Sequence, residues 1–227
     1  MIKSAADKLK NSTKRNNQGR PGSHVIDSLV WGIFKTQDNA IKTLGVTSCA
    51  PGAGVTTIAC NLAVRLAEQG LGPVLLVDLN FLSPRLGRIF CKKTRAPGIL
   101  DSLNNGTSVR EHITPSQIAG LSVLPFGYDA SQRGADVVPL GINTLIDELT
   151  PDYKAIIFDL PMLDDNPKAM YFASFMDGTV LVIEPGKVQT HLVAQLRKQM
   201  DNVGVNLVGS VMNKTQQDMP DLISRFL

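Results

Sequence analysis

The sequence predicts an α/β protein built on a mostly parallel, twisted sheet with helices on both faces. Continuous apolar runs of strand length alternate with longer segments of helical periodicity. Strands that are apolar throughout are typical of parallel sheets covered on both sides. The predicted strands are 43–48, Val74–Asp78, Leu121–Leu124, Lys154–Asp159, Thr179–Glu184 and Asn206–Met212. The predicted helices are 24–37, 58–69, 138–149, 166–175 and 188–202.

Length and composition indicate one ordinary globular domain, predicted to span 23–227. The chain has 227 residues, 43% of them hydrophobic, and α/β folds often reach this size as a single domain. It contains no run of eighteen apolar residues and no apolar leader, so we expect neither a transmembrane helix nor a signal peptide. Cys49, Cys60 and Cys91 are odd in number and lack metal-ligand spacing, which favours reduced thiols in a cytoplasmic protein.

The segment 1–22 is predicted to be a flexible basic arm. Its first twenty residues carry six basic side chains against one acidic residue, Asp7, while the whole chain has a net charge of +3. Interleaved polar residues, Gly and Pro favour a solvated tail. The alternative is attachment to an anionic membrane face or an acidic partner, at about 1 kcal/mol per basic residue near the surface. Because the arm has no aromatic residue and the rest of the chain is not basic, we expect no nucleic-acid partner.

The helix predicted at 24–37 is apolar over more than one face. One interpretation is a helix that packs into the core of its own domain. The other is a helix that buries part of this surface against another chain, with Trp31 as the anchor, as in a homo-oligomer.

A glycine-rich loop, 49–57, joins the first predicted strand to the helix at 58–69. Strand, glycine-rich turn, paired threonines and helix are the parts of a P-loop, which predicts a P-loop NTPase-like fold. Gly52 and Gly54 would let backbone N–H groups curve around phosphate oxygens, and the helix N-terminus would add its positive end. The loop residues predicted to bind nucleotide are Pro51, Gly52, Ala53, Gly54, Val55, Thr56 and Thr57.

Valine occupies position 55, where a P-loop has its lysine. A hydrogen bond to a charged group contributes about 1.5–3 kcal/mol. Nucleotide affinity should therefore fall by roughly ten- to a hundred-fold or more. Phosphoryl transfer should lose more, because the protein contributes there mainly by positioning groups and neutralising charge. The sequence thus predicts weak or absent binding of ATP.

Two of the predicted strands end on an aspartate, Asp78 and Asp159. In parallel sheets the site lies at the carboxyl ends of the strands, so both side chains should lie near the loop. Thr56 and Asp159 are predicted to hold Mg²⁺, with Thr57 bonding a more distant phosphate. Asp78 could orient or deprotonate a nucleophile. The alternative for an aspartate that closes a strand is to cap a following helix.

Nine segments in a fixed order carry a resemblance to a known family. They are Val46-Thr47-Ser48, Pro51 to Gly54, Asn61-Leu62-Ala63, Val74 to Asp78, Phe90, Pro97 to Leu103, Leu124 to Gly127, Ile156 to Pro161 and Gly209 to Lys214. Over about 40–214 the chain resembles the bacterial protein-tyrosine kinases of capsule and exopolysaccharide synthesis. That family lies within the deviant Walker superfamily of ParA/MinD type.

The resemblance implies a cytoplasmic protein that binds ATP and Mg²⁺ and works with a membrane polysaccharide co-polymerase. It implies autophosphorylation of a tyrosine-rich tail, with cycles of assembly and dispersal that tune polymer length and export. It also adds Asn213 to the predicted nucleotide-binding residues, and makes Asp78 and Asp159 the catalytic residues of an active enzyme.

Departures from the family pattern concentrate on catalysis. Val55 replaces the P-loop lysine, and Ala53 replaces the glutamate before Gly54. In the second aspartate motif, Asn80 replaces an aspartate and Leu82 replaces an arginine. The two arginines of the family's assembly motif align loosely with Val30 and Ile33. The tail 215–227 contains no tyrosine, and the three tyrosines of the chain are Tyr128, Tyr153 and Tyr171. Of these, Tyr153 is expected to be a core residue.

These losses together predict a non-catalytic, pseudokinase-like partner of an exopolysaccharide co-polymerase, placed at the inner face of the membrane through that partner. The first alternative is an active tyrosine kinase or ATPase with a rearranged site, in which Arg85 or a residue of a partner replaces the lysine. The second is a partition or septum-positioning ATPase. Ala50 counts against the second alternative, because those proteins carry a lysine at that position.

Overall fold

The computed structural model describes residues 21–35, 41–92, 95–127, 141–163 and 167–214. The basic arm, Tyr128 and the tail 215–227 lie outside the described residues. Within the described part, no helix is both long and apolar enough to cross a bilayer.

Seven strands form one sheet in the described residues. The strands are β1 (Thr43–Ser48), β2 (Val74–Asp78), β3 (Thr114–Pro115), β4 (Leu121–Leu124), β5 (Ala155–Asp159), β6 (Gly178–Ile183) and β7 (Leu207–Met212). Their spatial order is β3-β4-β2-β5-β1-β6-β7. Every neighbouring pair is parallel except β3 with β4. The predicted mostly parallel α/β sheet is confirmed.

Seven α-helices accompany the strands in the described residues. They are α1 (Pro21–Val30), α2 (Val55–Glu68), α3 (Leu86–Phe90), α4 (Ile99–Asn105), α5 (Ile142–Leu149), α6 (Pro167–Ser174) and α7 (Thr190–Asn202), with a π-helical turn at Trp31–Lys35 directly after α1. The six predicted strands agree with the structure within one residue at each end. The short elements α3, α4 and β3 were not predicted, because pieces of two to seven residues carry too little periodicity to be read.

The sheet separates two apolar clusters. Side chains alternate between the two faces of a strand. On β2, Val74 and Leu76 pack on the face covered by α1 and α2. Leu75 and Val77 pack on the opposite face, with side chains of α4, α5, α6 and α7. Helices on both faces are therefore confirmed, and they leave the carboxyl edge of the sheet for the loops that follow the strands.

Helix α1 and its π-helical turn contribute to the core. Ile26, Val30 and Ile33 are buried in the cluster with α2. Asp27 forms an ion pair with Arg65 of α2, with 2.7 Å between Oδ2 and Nη2. The prediction that this helix packs into the core of its own domain is confirmed for the face that carries Ile26, Val30 and Ile33. Trp31, the predicted anchor for another chain, is 56% exposed. An arginine at position 30 or 33 would have to bury its charge among apolar side chains.

Candidate functional site

The predicted phosphate-binding loop joins β1 to α2. Gly52 and Gly54 have φ angles of 75° and 98°, in the left-handed region that favours glycine. Asn213, directly after β7, donates from Nδ2 to the carbonyl of Ala53 at 2.8 Å. A Cβ atom added to Gly54 would lie 2.3 Å from that same Nδ2. Glycine at position 54 is therefore required both by the backbone angle and by the approach of Asn213.

Val55 opens α2, and its side chain is partly buried against the apolar cluster beside α1 and α2. The first turn of the helix thus carries an apolar packing residue where a P-loop carries its cation. Pro51, Gly52 and Thr57 are exposed, and Thr56 is half-buried.

Thr56 and Asp159 lie together below this loop. The Thr56 hydroxyl donates to Asp159 Oδ2 at 2.7 Å. Asp159 ends β5 and is fully buried. Its other oxygen, Oδ1, is also buried and accepts no hydrogen bond from any described residue. A buried carboxylate oxygen without a partner is costly unless a proton or a ligand meets it.

The pKa of Asp159 is raised to about 7, mainly by burial and also by the nearby charge of Asp78. The hydrogen bond from Thr56 and the positive charge of Arg85 oppose this shift. Asp78 and Asp159 occupy paired positions on the neighbouring strands β2 and β5, which explains their mutual repulsion.

Asp78 is equally buried but has partners for both oxygens. Its Oδ1 accepts from the backbone N–H of Asn80 at 3.1 Å. Its Oδ2 accepts from the N–H groups of Arg85 and Leu86, each at 2.9 Å. Burial raises the pKa of Asp78 to about 6, and the three hydrogen bonds oppose that shift. Arg85 is the N-cap of α3 and Leu86 its first residue, so Asp78 anchors the start of that helix from β2 without being its N-cap residue.

The other two substituted positions of this motif lie in the same loop. Asn80 accepts from the N–H of Ser83 at 3.2 Å and so stabilises its own turn. Leu82 is largely exposed. Neither residue can supply the charge of the aspartate or arginine that it replaces.

The residues present fit Mg²⁺ and a nucleotide phosphate. Magnesium prefers hard oxygen ligands, and the Thr56 hydroxyl and the unpartnered Oδ1 of Asp159 are oxygens of this kind. Gly52 and Gly54 give the loop the backbone freedom that a phosphate cradle needs. The structure brings together the predicted loop, Thr56, Asp159, Asp78 and Asn213 at one edge of the sheet. Their roles toward a ligand remain predictions.

Sequence reasoning gave no role to a group of charges beside the loop. Lys214 donates from Nζ to the carbonyl of Gly52 at 2.6 Å and to Glu184 Oε2 at 3.0 Å. Lys187 pairs with the other oxygen of Glu184 at 3.1 Å. Glu184 and Lys214 follow β6 and β7, and the sequence alone does not reveal that these strands lie beside β1. The one sequence signal for Lys214 is that it directly follows Asn213, a predicted nucleotide-binding residue.

A family model described as cellulose biosynthesis protein BcsQ matches residues 41–223. The chain belongs to this family. Its curated relatives include tyrosine-protein kinase YwqD of Bacillus subtilis, 29% identical over 180 residues, which span 79% of this chain and 75% of the relative. Tyrosine-protein kinase CpsD of Streptococcus agalactiae is 26% identical over 86% of this chain and 90% of its own. The resemblance to the capsule and exopolysaccharide tyrosine kinases is thereby confirmed.

A third relative is a larger protein. Succinoglycan biosynthesis transport protein ExoP of Rhizobium meliloti is 27% identical over 80% of this chain, but the match spans only 23% of ExoP. The region that resembles this chain is thus one part of a longer polypeptide in that protein.

Solved structures agree on the fold. The chimerical protein CapA2B2 matches with a TM-score of 0.77 and 27% identity, covering 87% of each chain. The septum site-determining protein MinD of Pyrococcus horikoshii, complexed with Mg-ADP, matches with a TM-score of 0.67 and 20% identity over 82% of this chain and 77% of its own. At that identity the MinD likeness shows the fold alone, and the P-loop NTPase-like fold of ParA/MinD type is confirmed.

Proposed function

We propose that this chain is a non-catalytic, tyrosine-kinase-like partner of a membrane polysaccharide co-polymerase. The observation that carries the proposal is the placement of Val55, which packs against the core at the position of the catalytic cation. Phosphoryl transfer depends on such cations to neutralise charge in the transition state. The loss of charge at Asn80 and Leu82 adds to this argument, because three positions of the catalytic pattern have changed together.

Tyr153 and the composition of the tail give the proposal further support. Tyr153 is partly buried against the apolar cluster on the α4–α7 face. Tyr171 packs edge-on against Phe175, with 4.7 Å between ring centroids, but is 40% exposed. Because the tail 215–227 has no tyrosine, the acceptors on which the family's autophosphorylation depends are missing from that segment.

The names of the family model and of one relative support the proposed partner. The matched family model carries the description of a cellulose biosynthesis protein, and ExoP is named as a succinoglycan transport protein. In ExoP the similar region is joined to other segments of one polypeptide. In this proposal the domain acts at the cytoplasmic face of the membrane. The basic arm would add electrostatic attraction to the anionic membrane surface.

In this proposal the site still binds nucleotide, weakly, for assembly rather than for chemistry. Gly52, Gly54, Thr57 and Asn213 would contact the nucleotide, while Thr56 and Asp159 would hold Mg²⁺. The bound metal would supply positive charge next to the phosphates. The buried pair Thr56–Asp159, separated by 2.7 Å, supports this retained binding.

That same pair favours a second candidate, an active tyrosine autokinase or ATPase. The residues proposed to hold the metal would be intact, and the charge of Arg85, which offsets part of the upward shift in the pKa of Asp159, would take over from the missing lysine. Only the shared fold favours a partition or septum-positioning ATPase. Alanine occupies position 50, where that class of protein has a lysine.

Turnover separates these candidates. We expect purified wild-type protein to release no more phosphate from Mg-ATP than Asp159→Ala does, and to form no phosphotyrosine, with or without the cytoplasmic part of the co-polymerase. Phosphate release or phosphotyrosine that appears in wild type and disappears in Asp159→Ala would establish the active enzyme instead.

A further inference from the structure

Two consecutive residues after the last strand hold two consecutive carbonyls of the phosphate-binding loop. Asn213 bonds the carbonyl of Ala53 at 2.8 Å, and Lys214 bonds the carbonyl of Gly52 at 2.6 Å. Lys214 has a φ of 59°, which is uncommon for a residue with a side chain. The residue with this unusual backbone angle is thus the same residue whose ammonium group contacts the loop.

Glu184 fixes that ammonium group in place. Its carboxylate bonds Lys214 at 3.0 Å and Lys187 at 3.1 Å, and these contacts hold the pKa of Glu184 below its usual value. A lysine ammonium has three donors. Gly52 and Glu184 account for two of the donors of Lys214 among the described residues, which leaves a third donor for a ligand. The Lys214 side chain is 47% exposed, which keeps this donor within reach of solvent.

We propose that Lys214 presents to the phosphates of a bound nucleoside triphosphate the positive charge that Val55 does not provide. The loop keeps its glycines but has no cation of its own at its helical end. Arg85 acts on Asp159 through its charge, whereas Lys214 contacts the loop backbone directly. The proposal rests on the nucleotide binding in the proposed function, and it is independent of whether the chain is catalytic.

Lys187 provides a matched control. It pairs with the same carboxylate as Lys214 and is exposed to a similar degree, 54%, but its partner in the structure is Glu184 and not the loop. Lys214→Met should weaken Mg-ATP binding by about tenfold, the lower range for one charged hydrogen bond at a half-exposed position. Lys187→Met should change the affinity for Mg-ATP by less than twofold, and Lys214→Arg should keep most of the wild-type affinity. Titration with a fluorescent ATP analogue, and competition with unlabelled ATP, would measure these affinities.

A double-mutant cycle with Val55→Lys tests whether the two positions supply the same charge. If they do, Lys214→Met should cost clearly less in the Val55→Lys background than in the wild type. Three results would each overturn the role of Lys214. The first is an equal loss of affinity from Lys214→Met in both backgrounds. The second is an equal loss from Lys214→Met and Lys187→Met, and the third is no binding by wild type at millimolar ATP. The free energy of unfolding without nucleotide should be the same for both lysine variants, which guards against a folding defect. Turnover of ATP by wild type would overturn the proposed function and leave this role intact.

Discussion

Asp78 and Asp159 sit side by side at the ends of β2 and β5, equally buried, yet their surroundings differ. Asp78 accepts three backbone hydrogen bonds from its own loop and the start of α3. Asp159 accepts one, from a side chain of the phosphate-binding loop, and one of its oxygens has no partner among the described residues. The same residue type at matched positions therefore has a structural role in one strand, and in the next strand it keeps an oxygen without a partner among the described residues.

The two aspartates also differ in how many substitutions from the family pattern lie around them. The loop around Asp78 carries two of the substitutions, Asn80 and Leu82, and it still folds, because the carboxylate of Asp78 holds its backbone. On the Asp159 side, the hydrogen bond from Thr56 is present. In the proposed function, the changes fall on groups that would act on a transition state, while the groups that would shape the nucleotide site remain.

The largest effect expected from this contrast is on folding stability. Asp78→Ala would leave three backbone N–H groups without their acceptor and should lower the free energy of unfolding by about 3 kcal/mol at pH 8. That loss corresponds to a decrease in Tm of roughly 6–12 °C for a domain of this size. Asp159→Asn should instead raise stability at pH 8, because it removes a buried charge that repels Asp78. Urea unfolding of both variants would measure the two shifts.

A loss of stability in Asp159→Asn as large as that in Asp78→Ala would contradict the contrast. Asp78→Asn serves as the control for shape, since it keeps an acceptor oxygen and should fall between the two.

A smaller effect is expected in the pH dependence. The folded-state pKa of Asp159, about 7, lies above its ordinary value of 3.8, so the folded protein binds the extra proton between these values. Stability from this group is therefore highest at low pH and declines as pH rises from about 4 to about 7. Asp159→Asn should be more stable than wild type by at least about 1.4 kcal/mol at pH 8, and this gap should narrow as pH falls and close near pH 4.

Unfolding curves of wild type and Asp159→Asn at pH 5, 6, 7 and 8 would check this. A gap that stays constant, or that grows toward pH 5, would show that Asp159 is ionised in the folded protein and already has a partner.

The sheet could be predicted from sequence because its strands are long, apolar and bounded by polar turns. Val74–Asp78 and Leu121–Leu124 match the predicted bounds in full. The P-loop was predictable for another reason, since its glycines and threonines form a local motif. A helix N-cap was the alternative predicted for Asp78, but the helix whose start it anchors, α3, was too short to predict, and its N-cap is Arg85.

Other parts of the site depend on strand order, which no local pattern encodes. The contact of Lys214 with Gly52 joins residues 162 positions apart and exists only because β6 and β7 lie beyond β1 in the sheet. In the same way, Val30 and Ile33 read as lost assembly residues in the sequence, and the structure places both in the core.

The central claim is that the nucleotide cradle is intact and that its cation at position 55 is lost. Calorimetric titration of wild type and Val55→Lys with Mg-ATP tests it most directly. The account predicts weak binding by wild type and a gain of roughly ten- to a hundred-fold in the variant, at 1.4 kcal/mol per decade. Micromolar binding by wild type without any gain in Val55→Lys would contradict the claim, and so would an absence of binding by both proteins.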